Sequence, residues 1–429
     1  MISTNRITSL NYSRKNNFIL VILVSLFNVK SFSQELKIHK DTSSFFGAEI
    51  LVGKTMEANT DFPETNLQLG FNINYTQNNI TENKLWAPWL GFPKTGISFG
   101  IYDFGNTEKI GRAYTLMPFM EFNISKKWNL YTGVGLSFMD TQFNTITNPF
   151  NKAITTDLNW SFKSFFYYNL FKLKSTDFRL GLGYVHHSNG HTRLPNQGLN
   201  SFLASIAASF KSSEEQDVEE LVINKTPTRQ TYYSVRAGLG QNVLSEVFND
   251  KKEVYSFAVS AGRIHNNTFK FGGGIYYRFY EHYYDYIKND EELVNTMYPH
   301  FREDPFAYAS NLGIFGTAEL LLGHIGIEVD FGLNISKPFY KIDWMLNQGY
   351  DFVNSQGETI VVLGELDTYY EIKRTISSKL GLKYYFISND KTPKHNFFIG
   401  AHINANLGQA DFTELSFGYV RRFNLFNKK

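Results

Sequence analysis

The chain has 429 residues and no cysteine, so it can form neither a disulfide scaffold nor a lipid-anchored N-terminal cysteine. Its formal net charge is +2, which gives no electrostatic reason to expect a nucleic-acid partner. Aromatic residues make up 17% of the chain and glycine is frequent at 32 residues. This composition favours an all-β fold, and a transmembrane antiparallel β-barrel in particular.

Residues 1–33 have the features of a cleaved secretory signal. Arg14 and Lys15 precede the short apolar run Phe18–Phe27. The small residues Ser31 and Ser33 then occupy the two positions that a signal peptidase reads. The apolar run is too short to span a bilayer, which needs about 20 residues. We therefore expect removal of the signal peptide after export, and a mature protein in the bacterial outer membrane.

The residues that follow alternate between apolar and small or polar side chains, as membrane-spanning strands do. In the last segment of this region, Phe202, Ile206 and Phe210 alternate with Ser205 and Ser209. We predict eight strands before residue 212, at 44–53, 66–77, 95–103, 111–123, 127–138, 154–168, 176–188 and 200–211.

The end of the seventh predicted strand carries the most informative motif, Gly183–Gly190. His186 and Ser188 are two residues apart, so they point to the same face of the strand. Leu180 and Leu182 share that face, which is therefore apolar. A base beside a hydroxyl on an apolar face suggests nucleophilic hydrolysis of a lipid ester.

Two asparagines complete the predicted site. Asn200 is two residues from Phe202 on the neighbouring strand, so both point to the outer face. There Asn200 can orient the imidazole of His186. Asn189, or a nearby backbone N–H group, can stabilise the oxyanion. The alternative is that His186 and Ser188 are interfacial polar residues without a catalytic role.

The stretch His186–Asn200 resembles the signature of the PagL-type lipid A 3-O-deacylases, the acyloxyacyl hydrolase family. Those proteins are eight-stranded outer-membrane barrels with a lipid-facing His-x-Ser-Asn motif. The resemblance implies hydrolysis of the ester-linked 3-hydroxyacyl chain at position 3 of lipid A. It implies His186 as the base, Ser188 as the nucleophile and Asn189 as the oxyanion residue.

The loop after this motif also follows the family pattern. Its Pro-Asn-x-Gly segment is matched here by Pro195, Asn196 and Gly198. Asn200 departs from the pattern, because the family has an acidic third member of the triad at this position. An amide oxygen can still accept the imidazole N–H, but it cannot stabilise an imidazolium by charge.

A charged segment without alternation, 212–229, divides the chain, and we expect it to be a solvated linker. Eight further strands are predicted after it, at 231–241, 254–265, 268–283, 306–321, 324–334, 368–386, 395–405 and 412–423. We predict two tandem eight-stranded barrels. The alternative is one barrel of about sixteen strands, which would enclose an aqueous lumen.

The two halves look like a duplication. Gly183–Asn189 resembles Gly400–Asn406, in which His402 and Asn404 have the two-residue spacing of His186 and Ser188, with asparagine in place of the serine. The second half therefore lacks the nucleophile. We predict a catalytic barrel at 34–211, a linker at 212–229 and a second, degenerate barrel-like half at 230–429.

We expect no cofactor and no metal. His187 and His191 are four residues apart, but in a turn that spacing does not bring two imidazoles together on zinc. The expected partner is lipid A, or lipopolysaccharide, of the outer leaflet. The competing functions are a porin or binding barrel that retains the motif as a relic, and an adhesive surface protein.

Overall fold

The computed structural model describes residues 34–212, 219–348, 350–353, 357, 359–362, 367–406 and 408–424. The predicted signal peptide at 1–33 lies outside these residues. The described chain forms two closed antiparallel barrels of eight strands each, together with two small two-stranded sheets. This confirms the prediction of tandem barrels and excludes a single barrel of about sixteen strands.

The first barrel is built from consecutive strands that pair in chain order and close by pairing of the last strand with the first. Its strands are β2 (Ser44–Thr55), β3 (Gln68–Gln77), β4 (Lys94–Asp103), β5 (Arg112–Asn123), β6 (Trp128–Met139), β7 (Leu158–Leu173), β8 (Thr176–Ser188) and β9 (Leu199–Lys211). We call the end at which β8 finishes the motif end.

The alternation in the sequence becomes an apolar outer wall. On β9, Phe202 and Ile206 are 59% and 63% exposed, whereas Leu203 and Ala207 between them are buried. Because successive side chains of a strand point to opposite faces, the side chains of each strand alternate between the outer wall and the lumen.

Side chains fill the lumen of the first barrel. Lys163 Nζ lies 2.5 Å from Glu49 Oε2, and the hydroxyl of Tyr167 donates to Glu49 Oε1 at 2.6 Å. The rings of Tyr102 and Tyr131 are buried beside this network. An eight-stranded barrel is just wide enough for such a packing, so the lumen holds side chains rather than a channel.

The second barrel has the same strand number and closure. Its strands are β11 (Arg229–Asn242), β12 (Lys252–His265), β13 (Phe269–Tyr280), β14 (Ser310–Leu322), β15 (Ile325–Ser336), β18 (Ile376–Tyr385), β19 (His395–Asn406) and β20 (Gln409–Phe423). The small sheet of β16 (Tyr350–Val353) and β17 (Thr359–Val362) lies between β15 and β18 in the chain.

Short helices occupy the connections of the second barrel. They are α1 (Glu281–Lys288), α2 (Glu292–Met297), α3 (Pro305–Tyr308), α4 (Tyr340–Leu346) and α5 (Asp367–Thr375). The predicted strand 368–386 is therefore wrong in its first part, where α5 precedes β18. Within the described ranges, every helix is too short or too polar to cross a membrane.

The predicted linker at 212–229 contains a strand. β10 (Glu220–Lys225) pairs antiparallel with β1 (Gln34–His39), the segment that precedes the first barrel. The expectation of a fully solvated connector is therefore wrong for this part, because its backbone hydrogen bonds go to β1.

At the end opposite to the motif end, the two barrels touch through the connection between β3 and β4. The backbone N–H of Leu85 donates to Asp390 Oδ1 at 2.9 Å. Beside it, buried Trp86 belongs to a cluster against which Leu322 and Ile327 of the second barrel pack. The long β3–β4 connection of the first barrel is thus a contact surface for the second.

Candidate active site

Strands β7, β8 and β9 bring the predicted site residues together at the motif end. In the β8–β9 register His186 lies opposite Asn200, and in the β7–β8 register Ser188 lies opposite Trp160. Val185 and His187, which alternate with His186 and Ser188, are fully buried. His186 and Ser188 therefore belong to the outer surface of the barrel and not to its lumen.

The side chains of His186, Ser188 and Asn200 form one hydrogen-bonded line. His186 Nε2 lies 2.9 Å from Ser188 Oγ, and His186 Nδ1 lies 2.8 Å from Asn200 Oδ1. All three residues are half-buried. The arrangement has the geometry of a nucleophile, a base and a residue that orients the base.

Tyr184 is a member of this line that the sequence analysis did not assign. Its hydroxyl donates to Asn200 Oδ1 at 2.5 Å, and its ring stacks near the imidazole of His186 at an interplanar angle of 13°. Its position two residues before His186, on the same face of β8, was the available signal.

These contacts select the tautomer of His186. With Oδ1 of Asn200 facing both Tyr184 and His186, as the structure places it, the proton of His186 belongs on Nδ1. Nε2 then carries a lone pair aimed at the Ser188 hydroxyl. This is the tautomer that a general base for Ser188 requires.

Asn189 is buried in the turn that follows β8. Its side-chain Nδ2 donates to the carbonyl of Arg193 at 2.8 Å, and its Oδ1 accepts from the backbone N–H of Thr192 at 3.1 Å. The Asn189 amide therefore organises the loop, and one of its two N–H donors is engaged in doing so.

The loop motif residues lie against the same site. Asn196 Oδ1 accepts from the backbone N–H of Asn189 at 3.0 Å, and the carbonyl of Pro195 accepts from the hydroxyl of Thr155. Gly198 has a φ of 74°, and a Cβ there would lie 2.8 Å from His186 Cε1. Glycine is thus required both by the backbone conformation and by the close approach of the loop to the imidazole.

The neighbouring His187 faces the lumen. Its Nδ1 lies 3.1 Å from Ser137 Oγ, and its ring packs edge-on against Tyr102 and Phe104. Over the ranges that the structure covers, no three His, Cys, Asp or Glu side chains form a group that could hold a metal ion.

The corresponding histidine of the second barrel is placed differently. His402 lies on β19, the seventh strand of that barrel, but it is fully buried in the lumen between Glu328 and Glu414. The match of His402 to His186 by spacing therefore fails at the level of strand faces, because residue by residue His402 corresponds to Val185, which is also fully buried. Asn404 is also buried in the lumen, where it accepts a hydrogen bond from Arg278, so no second copy of the site exists at these residues.

A comparison with known families finds one match, over residues 55–209, to the family described as lipid A 3-O-deacylase (PagL). The matched segment contains the motif from His186 to Asn200 and ends before the second barrel. It confirms the family resemblance of that motif. No curated protein matches the chain.

Several solved structures of outer-membrane proteins are also similar to the chain. The outer membrane enzyme PagL is 14% identical, over 38% of this chain and 97% of that chain, with a TM-score of 0.24. An outer membrane channel from Pseudomonas putida F1 is 11% identical, over 90% of this chain and 97% of that chain, with a TM-score of 0.17. The Acinetobacter baumannii protein Omp33 is 8% identical, over 90% of this chain and all of that chain, with a TM-score of 0.15.

Proposed function

Because the chain carries a lipid A 3-O-deacylase (PagL) family domain at residues 55–209, we propose that it is an outer-membrane esterase acting on lipid A. The bond broken would be the ester of a 3-hydroxyacyl chain. The observation that carries the proposal is the contact of 2.9 Å between His186 Nε2 and Ser188 Oγ on the outer surface of the first barrel.

In the first step, the Ser188 hydroxyl attacks the ester carbonyl carbon while His186 Nε2 takes its proton. The tetrahedral intermediate collapses, and the bond between the acyl carbon and the sugar oxygen breaks. His186 returns the proton to the leaving sugar hydroxyl. Water, activated by His186, then hydrolyses the acyl-enzyme and releases a 3-hydroxy fatty acid.

Asn200 would hold the imidazole in the productive orientation. Its Oδ1 accepts the Nδ1 proton, which keeps the Nε2 lone pair directed at Ser188. As a neutral amide, it would stabilise the imidazolium less than a carboxylate does. Tyr184 would act as a positioning residue through its hydrogen bond to Asn200.

Asn189 remains our candidate for stabilising the oxyanion. One N–H of its amide donates to the carbonyl of Arg193, and the second N–H would be the donor to the oxyanion. The alternative donors are backbone N–H groups of the same turn, whose conformation Asn189 maintains.

We propose that this site faces the lipid of the outer leaflet. Leu182 and Phe202, which share the faces of His186 and Asn200, are 67% and 59% exposed on the outer surface. Placing polar side chains on such a surface costs free energy, so they are expected there only where they are paired or functional. An acyl ester of the surrounding lipid would reach Ser188 without leaving the membrane.

Mass spectrometry of lipid A from cells that produce the full chain tests this function. We expect the wild type to remove one 3-hydroxyacyl chain, and S188A and H186A to leave lipid A intact, because each loses a group that takes part in bond breaking. S164A is the matched control, because Ser164 lies on the outer face of β7 opposite Tyr184. Unchanged deacylation by S188A and H186A would refute the proposal.

A further inference from the structure

The second barrel contacts the loop that follows Ser188. Thr413, near the start of β20, donates from Oγ1 to the carbonyl of Gly190 at 3.2 Å. The same oxygen accepts from Trp160 Nε1 at 3.3 Å. Trp160 is the residue opposite Ser188 on β7, so this contact lies beside the proposed nucleophile.

A second contact binds the middle of the loop. Asn249 Oδ1 accepts from the backbone N–H of Leu194 at 2.9 Å, and Asn249 Nδ2 donates to the carbonyl of Leu194 at 2.6 Å. Both backbone groups of one loop residue are thus bound by one side chain of the other barrel. Leu194 lies between Arg193, whose carbonyl binds the Asn189 amide, and Pro195.

Asn249 is held on a well-packed support. It belongs to the connection between β11 and β12, which is closed by a hydrogen bond of 3.1 Å from the backbone N–H of Leu244 to the carbonyl of Phe248. Leu244 is buried in the hydrophobic cluster at this end of the barrel, and the ring of Phe248 packs against Tyr286 at 5.3 Å. The residue before Asn249 is therefore packed on the second barrel, which places the Asn249 side chain against the loop.

The first barrel holds the far end of the loop. The backbone N–H groups of Gln197 and Gly198 donate to the carbonyls of Lys152 and Ala153, at 3.1 and 3.0 Å. Gly190 has a φ of 65°, and any Cβ there would collide with Thr413 Oγ1. The stretch from Gly190 to Leu194 is thus bound by the second barrel at both of its ends.

We propose that the second barrel is a positioning element for the esterase site, acting through Asn249 and Thr413 on the loop from Asn189 to Gly198. The inference rests on the proposed function. The loop begins at the residue after Ser188 and passes the imidazole of His186 at Gly198. Fixing it would set the orientation of the Ser188 hydroxyl and of the turn N–H groups before substrate arrives.

The purified full chain in mixed micelles of detergent and lipid A provides the test. Two quantities are measured: kcat for deacylation, and the labelling of Ser188 by a fluorophosphonate, followed for both its rate and its final extent. A loss of folded protein lowers the final extent of labelling. A misplaced loop lowers the rate and leaves the extent unchanged.

We expect N249A and T413V each to lower kcat and the labelling rate roughly tenfold, because each removes two hydrogen bonds to the loop or its neighbour. N249D keeps the acceptor for the Leu194 N–H and loses the donor, so it should fall between N249A and wild type. N396A is the matched control, since Asn396 binds both backbone groups of Ile387 at the opposite end of the second barrel. It should keep the wild-type labelling rate.

The outcomes separate the two proposals. If the wild type neither deacylates lipid A nor labels at Ser188, the proposed function fails and this inference fails with it. If the wild type is active and N249A and T413V match its rates, only the positioning role is refuted. A fall in labelling extent that accounts for the whole loss of activity also refutes it, because the second barrel would then support folding alone.

Discussion

At the scale of single residues, the proposed mechanism makes Asn200 the residue that sets how strongly His186 acts as a base. Its Oδ1 lies 2.8 Å from His186 Nδ1 and is held there by the hydroxyl of Tyr184. The amide therefore supplies orientation and the correct tautomer without supplying charge. In a serine protease the change from Asp to Asn lowers turnover by about 10⁴, partly because the tautomer becomes wrong.

Since the tautomer is already correct here, restoring charge should give a smaller gain than that. We expect N200D to raise kcat for lipid A deacylation roughly tenfold, because a carboxylate stabilises the imidazolium that forms in the transition state. N224D adds the same charge to an exposed position of β10 and should leave kcat unchanged. An N200D enzyme that is no faster than wild type, with Ser188 still fully labelled by a fluorophosphonate, would contradict this role.

At the scale of elements, the loop from Asn189 to Gly198 brings the motif residues of the sequence into one site. Asn196 caps the backbone N–H of Asn189, and Gly198 lies directly against the imidazole of His186. The loop is thus shaped by side-chain to backbone hydrogen bonds and by one close approach that excludes a Cβ.

We expect G198A to lower kcat at least roughly tenfold while both barrels stay folded, because the new methyl group must displace the imidazole or the loop. G91A is the matched control: Gly91 also has a φ of 74°, but a Cβ there meets no atom within 4 Å. Kinetics are measured on protein whose folded state is checked by the gel shift of unboiled barrels. Equal activity of G198A and G91A would show that the close approach to His186 is unimportant.

At the scale of the whole molecule, both barrels are packed with side chains rather than open. In the second barrel, Lys270 and Lys383 both bind Glu319 Oε2, at 2.7 and 3.1 Å, and all three residues are buried. The Lys163 and Glu49 pair occupies the first lumen in the same way. Since both lumens are filled by these networks, the proposed function assigns the substrate to the outer wall of the first barrel.

We therefore expect no discrete channel conductance from the purified chain in planar lipid bilayers, because each lumen is that of a filled eight-stranded barrel. A porin of 16 strands, recorded under the same conditions, is the positive control. Reproducible single-channel steps from the wild type would favour the porin alternative over the esterase.

Several features followed from local sequence patterns alone. A period of two residues, with aromatic side chains on one face, was enough to predict the strands of the first barrel and the outward parity of His186, Ser188 and Asn200. The same pattern does not detect a short helix that directly precedes a strand, so the residues of α5 were predicted as part of the strand. It also missed β10, because pairing with β1 depends on a segment far away in the chain.

What the sequence by itself determined is the alternation of the strands, and hence a β-barrel fold with a His, a Ser and an Asn on one outer face, whereas the structure decided between two barrels and one. Only the tertiary structure decided which faces and loops meet. It placed His402 in a lumen instead of on a wall, brought Tyr184 to Asn200, and set Asn249 of one barrel on Leu194 of the other. The physical reason is that alternation along a strand is a local property, whereas register, barrel closure and contacts between barrels join residues that are distant in the chain.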